Sequence, residues 1–120
     1  MNPLPSPDFS LLPATLARPA DFDEEGFLRD VGQWTPALAE AIAICLDLRL
    51  TPAHVAVLQA CRDFHERYQR MPTTRVFVKH LGQTLGAPHG SSSALMALFP
   101  ETPMRLVALC AGLPKPPNCF

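Results

Sequence analysis

Three Thr-Pro pairs, at positions 35/36, 51/52 and 102/103, constrain the fold of this chain more than any other feature of its sequence. Threonine at a helix N-cap can accept a hydrogen bond from a free backbone N–H group, and proline fits the first helical position, where no N–H donor is needed. Each pair therefore predicts the start of a helix. The helices predicted after the first two pairs each have an apolar face. These faces comprise Leu38, Ile42 and Cys45 in the first helix and Val57, Cys61, Phe64 and Tyr68 in the second.

Two more helices are predicted between the second and third pairs. One runs from about Thr73 to Leu85 and ends at Gly86, and a shorter one covers Ser91 to Phe99. The helix after the third pair, Pro103 to Ala111, ends at Gly112, because glycine readily takes the left-handed conformation that closes helices.

Near the N-terminus, the stretch from Phe22 to Leu28 has an acidic, glycine-containing turn between apolar residues, which favours a short β-hairpin. The expected fold is therefore mainly α. It is a small orthogonal bundle of about five helices with a short N-terminal β-hairpin and a mobile C-terminal arm.

The length of 120 residues and the 48% hydrophobic content are typical of one domain with one core. A net charge of −1 excludes the broad basic field on which non-specific nucleic-acid binding depends, so we expect no direct nucleic-acid partner. The sequence has no apolar run of about 18 residues, and no Lys or Arg precedes the short apolar patch near its start. We therefore expect a cytoplasmic protein without a membrane partner.

The chain divides into three predicted regions. Residues 1–20 contain five prolines and little periodicity, which indicates a disordered extension. Residues 21–111 form the helical domain, and residues 112–120 form the arm.

The arm places one thiol, Cys119, next to the last residue of the chain. Pro114, Pro116 and Pro117 favour polyproline II, which advances about 3.1 Å per residue and gives a reach of roughly 20 Å from Gly112. A thiolate there could attack a donor's sulfur atom and later release that sulfur to an acceptor. Lys115 favours the thiolate and the C-terminal carboxylate opposes it, so we expect activation to come from a partner's site.

The other three cysteines have different expected roles. Cys45 and Cys61 lie on apolar faces and are interpreted as packing residues. Cys110, near the end of the last helix, is a second candidate thiol that packing also explains, and a Cys110–Cys119 disulfide would make the arm a redox switch. The cysteines form no CxxC pair and the histidines are scattered, so we expect neither a metal site nor a cofactor.

A helix-turn-helix-like binding module is the alternative of a different class. The helix that begins near Thr73 follows another helix after a short loop and contains Arg75 and Lys79. These two cations, with Arg62, Arg67 and Arg70, could form a local patch that docks an acidic partner or tRNA. His54, three residues after the Thr51 cap, is interpreted as part of the local structure at the helix start rather than as a catalytic base.

The end of the chain, Ala111-Gly112-Leu113-Pro114-Lys115-Pro116-x-x-Cys119 followed by Phe120, resembles the arm of the TusE/DsrC/DsvC family of sulfur-relay proteins. The similarity extends upstream over roughly residues 20–120. It includes Glu25-Gly26-Phe27-Leu28, Gln33-Trp34-Thr35, Leu50-Thr51-Pro52-Ala53-His54, Arg62-Asp63-Phe64, Pro72, Arg75, Val78-Lys79 and Leu98-Phe99-Pro100. The resemblance implies a compact helical domain with a mobile arm. It also implies that Cys119 carries persulfide sulfur on an arm formed by Gly112, Leu113, Pro114, Lys115 and Pro116.

The branches of the family differ in whether the arm has a second cysteine. DsrC proteins in the strict sense have one four residues before the conserved glycine, where this chain has Ala108. Cys110 lies about 200° further round the helix. The resemblance therefore favours a TusE-like carrier loaded by a TusBCD- or DsrEFH-type complex and serving an MnmA-type tRNA 2-thiouridylase. A redox partner of dissimilatory sulfite reductase, or of sulfur oxidation, is the alternative within the family.

Several positions depart from the family pattern and indicate a changed partner surface. Val55 stands where the family usually has tryptophan, Glu101-Thr102 replaces the usual residue-glycine pair, and Ala94 and Ala97 replace larger side chains. These are mainly losses of volume, which alter packing more readily than sulfur chemistry.

Overall fold

The computed structural model describes residues 7–117, and this part of the chain is helical without a β-strand. The five α-helices are α1 (Pro36–Cys45), α2 (Pro52–Tyr68), α3 (Thr74–Leu85), α4 (Ser92–Leu98) and α5 (Pro103–Ala111). Short 3₁₀ helices cover Pro19–Asp21, Val31–Gln33 and Ala87–His89. The mainly α prediction is confirmed.

The helix starts agree with the Thr-Pro prediction. The Thr35 hydroxyl accepts a hydrogen bond from the Leu38 N–H at 3.1 Å, and Thr51 caps α2 in the same way. At the third pair, α5 begins at Pro103 as predicted, but the Thr102 side chain accepts no capping bond because its backbone is not in the usual N-cap conformation.

Helix α5 lies at the centre of the core, where α1, α2 and α4 pack around it. Eight of its nine residues are buried, and the exception is the partly buried Leu106. The apolar faces of the surrounding helices supply the other side chains, among them Leu38, Ile42, Val57, Leu58, Leu95 and, from α3, Phe77 and Leu81. The C-terminal end of α5 is therefore fixed by packing contacts with several of the surrounding helices.

The predicted hairpin is reduced to a single antiparallel bridge between Phe22 and Leu28. The Asp23 N–H donates to the Phe27 carbonyl at 2.8 Å, while the Asp23 carboxylate accepts from the N–H groups of Glu25 and Phe27, both at 2.9 Å. Because the aspartate side chain takes up these donors, a tight turn forms instead of two paired strands.

The described part of the predicted N-terminal extension contacts the domain. The Phe9 ring lies 4.7 Å from that of Phe22, and Ala17 is buried. Its prolines are interspersed with apolar side chains that reach the core, among them Leu12 and Leu16. Residues 1–6 lie outside the described residues, and the domain boundary at residue 20 stays a prediction.

No single helix within residues 7–117 is both long and apolar enough to cross a membrane. Helices α4 and α5 together meet that length and composition, but they are bent by 56° relative to each other.

Candidate functional site at the base of the C-terminal arm

Helix α5 ends at Gly112 in the left-handed conformation, with φ 66° and ψ 36°, as the sequence predicts. The Leu113 N–H donates to the Ala108 carbonyl at 3.0 Å and closes the last turn. A Cβ atom at position 112 would lie 2.7 Å from Trp34 Cδ1 and 2.9 Å from Leu28 Cδ2. Glycine is therefore required both by the backbone conformation and by the close approach of these two side chains.

Two side chains bind the last carbonyls of α5, which have no partner within the helix. The Trp34 Nε1–H donates to the Cys110 carbonyl at 2.8 Å. Arg62 donates to the Ala111 carbonyl at 2.8 Å and, through its other terminal nitrogen, to the Val31 carbonyl at 2.9 Å. Its guanidinium carbon also lies 4.5 Å from the centre of the Trp34 ring. The direction in which the chain leaves α5 is thus fixed by two residues from distant parts of the sequence.

Partial burial lowers the pKa of Arg62, while Glu66 and Asp63 oppose that shift. Guanidinium has so high a pKa that the side chain keeps its charge. It therefore makes charge-assisted hydrogen bonds to both carbonyls.

An Arg62→Ala variant is expected to lower the free energy of unfolding by about 2–4 kcal/mol, because two charge-assisted bonds are lost and two carbonyls lose a partner. Arg62→Lys should recover only part of this, since an ammonium group cannot reproduce the planar bridge. Urea unfolding measures the effect. Arg67→Ala removes an exposed arginine from the same helix and should cost less than about 1 kcal/mol; an equal loss in both variants would contradict the assignment.

The first residues of the predicted arm lie against the domain. Leu113 is 1% exposed and Pro116 is buried. The Lys115 ammonium lies 3.0 Å from a Glu25 carboxylate oxygen, in a pair that is about half exposed and so contributes little to stability. The predicted reach of 20 Å from Gly112 therefore requires these residues to leave the domain. Cys119 lies outside the described residues.

The three described cysteines have unreactive surroundings. Burial raises the pKa of the Cys61 and Cys110 thiols to about 12, and both side chains are fully buried. Cys45 is half-buried, and burial together with the Asp8 charge raises its pKa as well. The packing interpretation is confirmed for Cys61, and Cys110 is a core residue of the same kind. A disulfide from Cys110 would need the last turn of α5 to open.

The Cys110 thiol of the folded protein is expected to react at least about thirtyfold more slowly with a disulfide reagent at pH 7.5 than an ordinary exposed thiol. A rise in pKa from 9.0 to about 12 reduces the thiolate fraction about a thousandfold, and the greater nucleophilicity of a more basic thiolate offsets part of that loss. Burial of the side chain slows the reaction further. Reaction with 5,5′-dithiobis(2-nitrobenzoate), followed by peptide mass analysis, measures this rate. Fast labelling of Cys110 without unfolding would contradict it, and labelling in urea is the control.

His54 is a structural residue, as the sequence indicates. The Thr51 N–H donates to its Nδ1 at 3.1 Å, and its Nε2 lies 2.8 Å from the Leu98 carbonyl, which can only accept. These partners assign the proton to Nε2. Both ring nitrogens are therefore engaged in joining the start of α2 to the end of α4.

The predicted basic patch is divided in the structure. Arg75 and Lys79 are exposed on α3, whereas Arg62 is drawn to the end of α5. Trp34 was not predicted as a site residue, and Arg62 was predicted only as part of the docking patch, not as a partner of the end of α5. Both stood in the motifs of the family resemblance, but their partners lie 76 and 49 positions away, so local patterns could not identify them.

In the part of the chain from residue 7 to residue 117, no group of three or more His, Cys, Asp or Glu side chains could hold a metal ion.

The chain was compared with known proteins. Residues 15–120 match the family model described as "DsrC like protein". Over 98 residues, the chain is 41% identical to the sulfurtransferase TusE homolog of Haemophilus influenzae and 37% identical to sulfurtransferase TusE of Escherichia coli K12. Each comparison covers 82% of this chain and 90% of the relative.

Two solved structures have similar folds. The NMR structure of Allochromatium vinosum DsrC matches with a TM-score of 0.75 and 38% identity, covering 82% of this chain and 88% of that one. The crystal structure of the oxidized gamma-subunit of the dissimilatory sulfite reductase (DsrC) from Archaeoglobus fulgidus matches with a TM-score of 0.67 and 32% identity, covering 82% and 90%.

Proposed function

Because this chain belongs to the DsrC-like protein family, we propose that it is a sulfur carrier that takes up and passes on persulfide sulfur at Cys119. The observation that carries the proposal is the arm sequence from Gly112 to Cys119, which follows a helix end held by Trp34 and Arg62. Relatives at 37–41% identity are sulfurtransferases. These names support the proposed activity, which is that of a sulfurtransferase in the sense of a relay.

Two nucleophilic displacements at sulfur are sufficient for such a relay. The Cys119 thiolate attacks the outer sulfur of a donor persulfide, forms a new S–S bond and releases the donor's thiolate. An acceptor nucleophile later attacks the outer sulfur of Cys119-S-SH, and Cys119 leaves as a thiolate. One sulfur atom moves in each step and the number of electrons is conserved, so neither an oxidant nor a cofactor is required.

In this proposal the domain holds the base of the arm. Gly112 and the two side chains that bind the end of α5 set where the arm begins, while Leu113 and Pro116 hold its first residues against the domain. Delivery into a partner's site requires residues 113–116 to move away. The buried Cys110 supports a carrier with one working thiol, because its raised pKa disfavours the thiolate.

The partners are proposed by family analogy. A donor complex of the TusBCD or DsrEFH type would load Cys119, and an MnmA-type tRNA 2-thiouridylase would receive the sulfur. Such a relay between free thiols suits the reducing cytoplasm. A redox partner of dissimilatory sulfite reductase is the second candidate, favoured by the similarity to the DsrC structures. The alanine at position 108 and the burial of Cys110 favour the first.

The test uses the wild-type protein and inorganic polysulfide as the sulfur donor. The reduced protein is incubated with polysulfide, alkylated and analysed by tandem mass spectrometry, which locates each added sulfur on one cysteine. We expect a gain of about 32 Da on Cys119, since one sulfur atom is added per transfer. No gain there, under conditions that load a small thiol control, would refute the carrier proposal.

A further inference from the structure

A groove between the second half of α2 and helix α3 has no role in the base of the arm. Its volume is about 270 Å³, below the usual size of a small-molecule pocket. We call it the α2–α3 groove, and it is lined by Phe64, Tyr68, Arg70, Val76, Lys79, His80 and Gln83.

Part of the groove is apolar and open to solvent. Tyr68 is 46% exposed and Val76 is 45% exposed, and both belong to the helices on either side. Beneath them lies the buried Phe64 ring, whose centre is 4.6 Å from the centre of the Tyr68 ring and 5.3 Å from the centre of the His80 ring. Tyrosine and arginine, which both line this groove, are enriched at protein–protein interfaces.

The rim of the groove is positively charged. Arg70 and Lys79 line it, Arg75 stands exposed on α3, and none of the lining residues is acidic. No ion pair within residues 7–117 involves these three cations, whereas Lys115 is paired with Glu25. The groove therefore offers an apolar floor between free positive charges.

From these observations we propose that the α2–α3 groove docks an acidic segment of a partner protein, with one apolar side chain of that segment placed over Phe64 and Val76. The positive charges of the rim complement carboxylates. This complementarity would orient the segment and raise its association rate more than its affinity. The inference that this partner belongs to the sulfur relay rests on the proposed function. The inference that the groove binds an acidic segment rests only on the residues of the groove.

A polypeptide fits this groove better than a nucleic acid. The Tyr68 ring is already in contact with Phe64 and with the Arg67 guanidinium, whose carbon lies 5.3 Å from the ring centre, so it is poorly placed to stack on a base. The net charge of −1 also gives no broad attraction for a phosphate backbone.

The groove also lies on a different side of α2 from the residue that holds the arm. Phe64 follows Arg62 by two positions, which is about 200° round an α-helix. A partner could therefore be held at the α2–α3 groove while the arm is released on the other side of α2.

The experiment uses the full chain and a nine-residue acetylated peptide that has one leucine between glutamates. Amide chemical shifts are followed by NMR as the peptide is added. We expect shifts at Val76, Lys79 and Gln83, and binding about tenfold weaker for Lys79→Glu. The peptide with glutamine in place of glutamate should also bind about tenfold more weakly. Val76→Ser, which keeps the charge, should weaken binding about threefold.

Arg49→Glu is the matched control, because it makes the same change in net charge at an exposed residue that does not line the groove. Equal weakening in Arg49→Glu, no shifts at millimolar peptide, or tighter binding of an RNA hairpin at the same residues would each overturn the proposal. Polysulfide loading of Cys119 is measured on the same samples. Failure of loading alone would count against the sulfur carrier and not against the groove.

Discussion

A Cys119→Ser variant is expected to take up no sulfur from polysulfide, whereas Cys110→Ser takes it up at the wild-type rate. A hydroxyl group cannot replace the thiolate as a nucleophile toward sulfur at neutral pH. Cys61 and Cys110 cannot substitute for it in the folded protein, because both are buried and their pKa is about 12. The expected difference is therefore complete loss against no change, measured as the 32 Da gain in intact mass.

The half-buried Cys45 provides the second control. Sulfur uptake that persists in Cys119→Ser and disappears only when Cys45 is also replaced would move the working thiol to α1 and contradict our assignment. Loss of uptake in both Cys119→Ser and Cys110→Ser would instead indicate a redox arm with two cysteines. Circular dichroism of each variant confirms that the helices are retained.

Replacing Gly112 by alanine should destabilise the protein by about 2–5 kcal/mol. An L-residue pays about 1–2 kcal/mol for the left-handed conformation that the end of α5 requires. The new Cβ would also lie 2.7 Å from Trp34 Cδ1, which forces a shift in a packed region and adds about 1–3 kcal/mol. Urea unfolding gives the free energy, and a loss below about 1 kcal/mol would contradict the required glycine.

A double-mutant cycle separates the two causes. In a Trp34→Ala background the closest contact is absent, so Gly112→Ala should cost about 1 kcal/mol less than in the wild type. Gly112→Asn tests the other cause, since asparagine tolerates the left-handed conformation while its Cβ still meets the indole. Equal costs in both backgrounds would show that the Trp34 ring does not contribute to the requirement for glycine, which would leave the left-handed conformation and the Leu28 contact at 2.9 Å as its causes.

The helices could be predicted because their signals are local. A Thr-Pro pair determines how a helix begins within four residues, and the glycine after α5 determines how it ends, so Pro36, Pro52, Pro103 and Gly112 agree with the structure. The hairpin was overpredicted for the same reason. The turn after Phe22 was identified, but the Asp23 carboxylate, rather than a second strand, satisfies its donors.

The base of the arm could not be predicted, because its parts are distant in sequence. The pattern around Arg62 is that of an exposed basic residue on an amphipathic helix, and only the packing of α2 against α5 brings it to the Ala111 carbonyl. The contact between the N-terminal segment and the domain was also not predicted. The proline content of this segment indicated disorder, but it gives no information about the packing of Phe9 against Phe22. Cys119 and its role stay predictions from the sequence.

Because Leu113 is buried against the domain, a partner that binds the whole arm must first displace it, and this lowers the measured binding affinity. Burial of the Leu113 side chain, taken alone, favours the seated arm by about 1.5–3 kcal/mol, which corresponds to about ten to a hundred seated molecules for each one with residues 113–116 released. The measured dissociation constant is then larger than the intrinsic one by the same ten- to hundredfold factor. A polar residue at position 113 would therefore lower the measured dissociation constant by favouring the released arm, without a new contact to the partner.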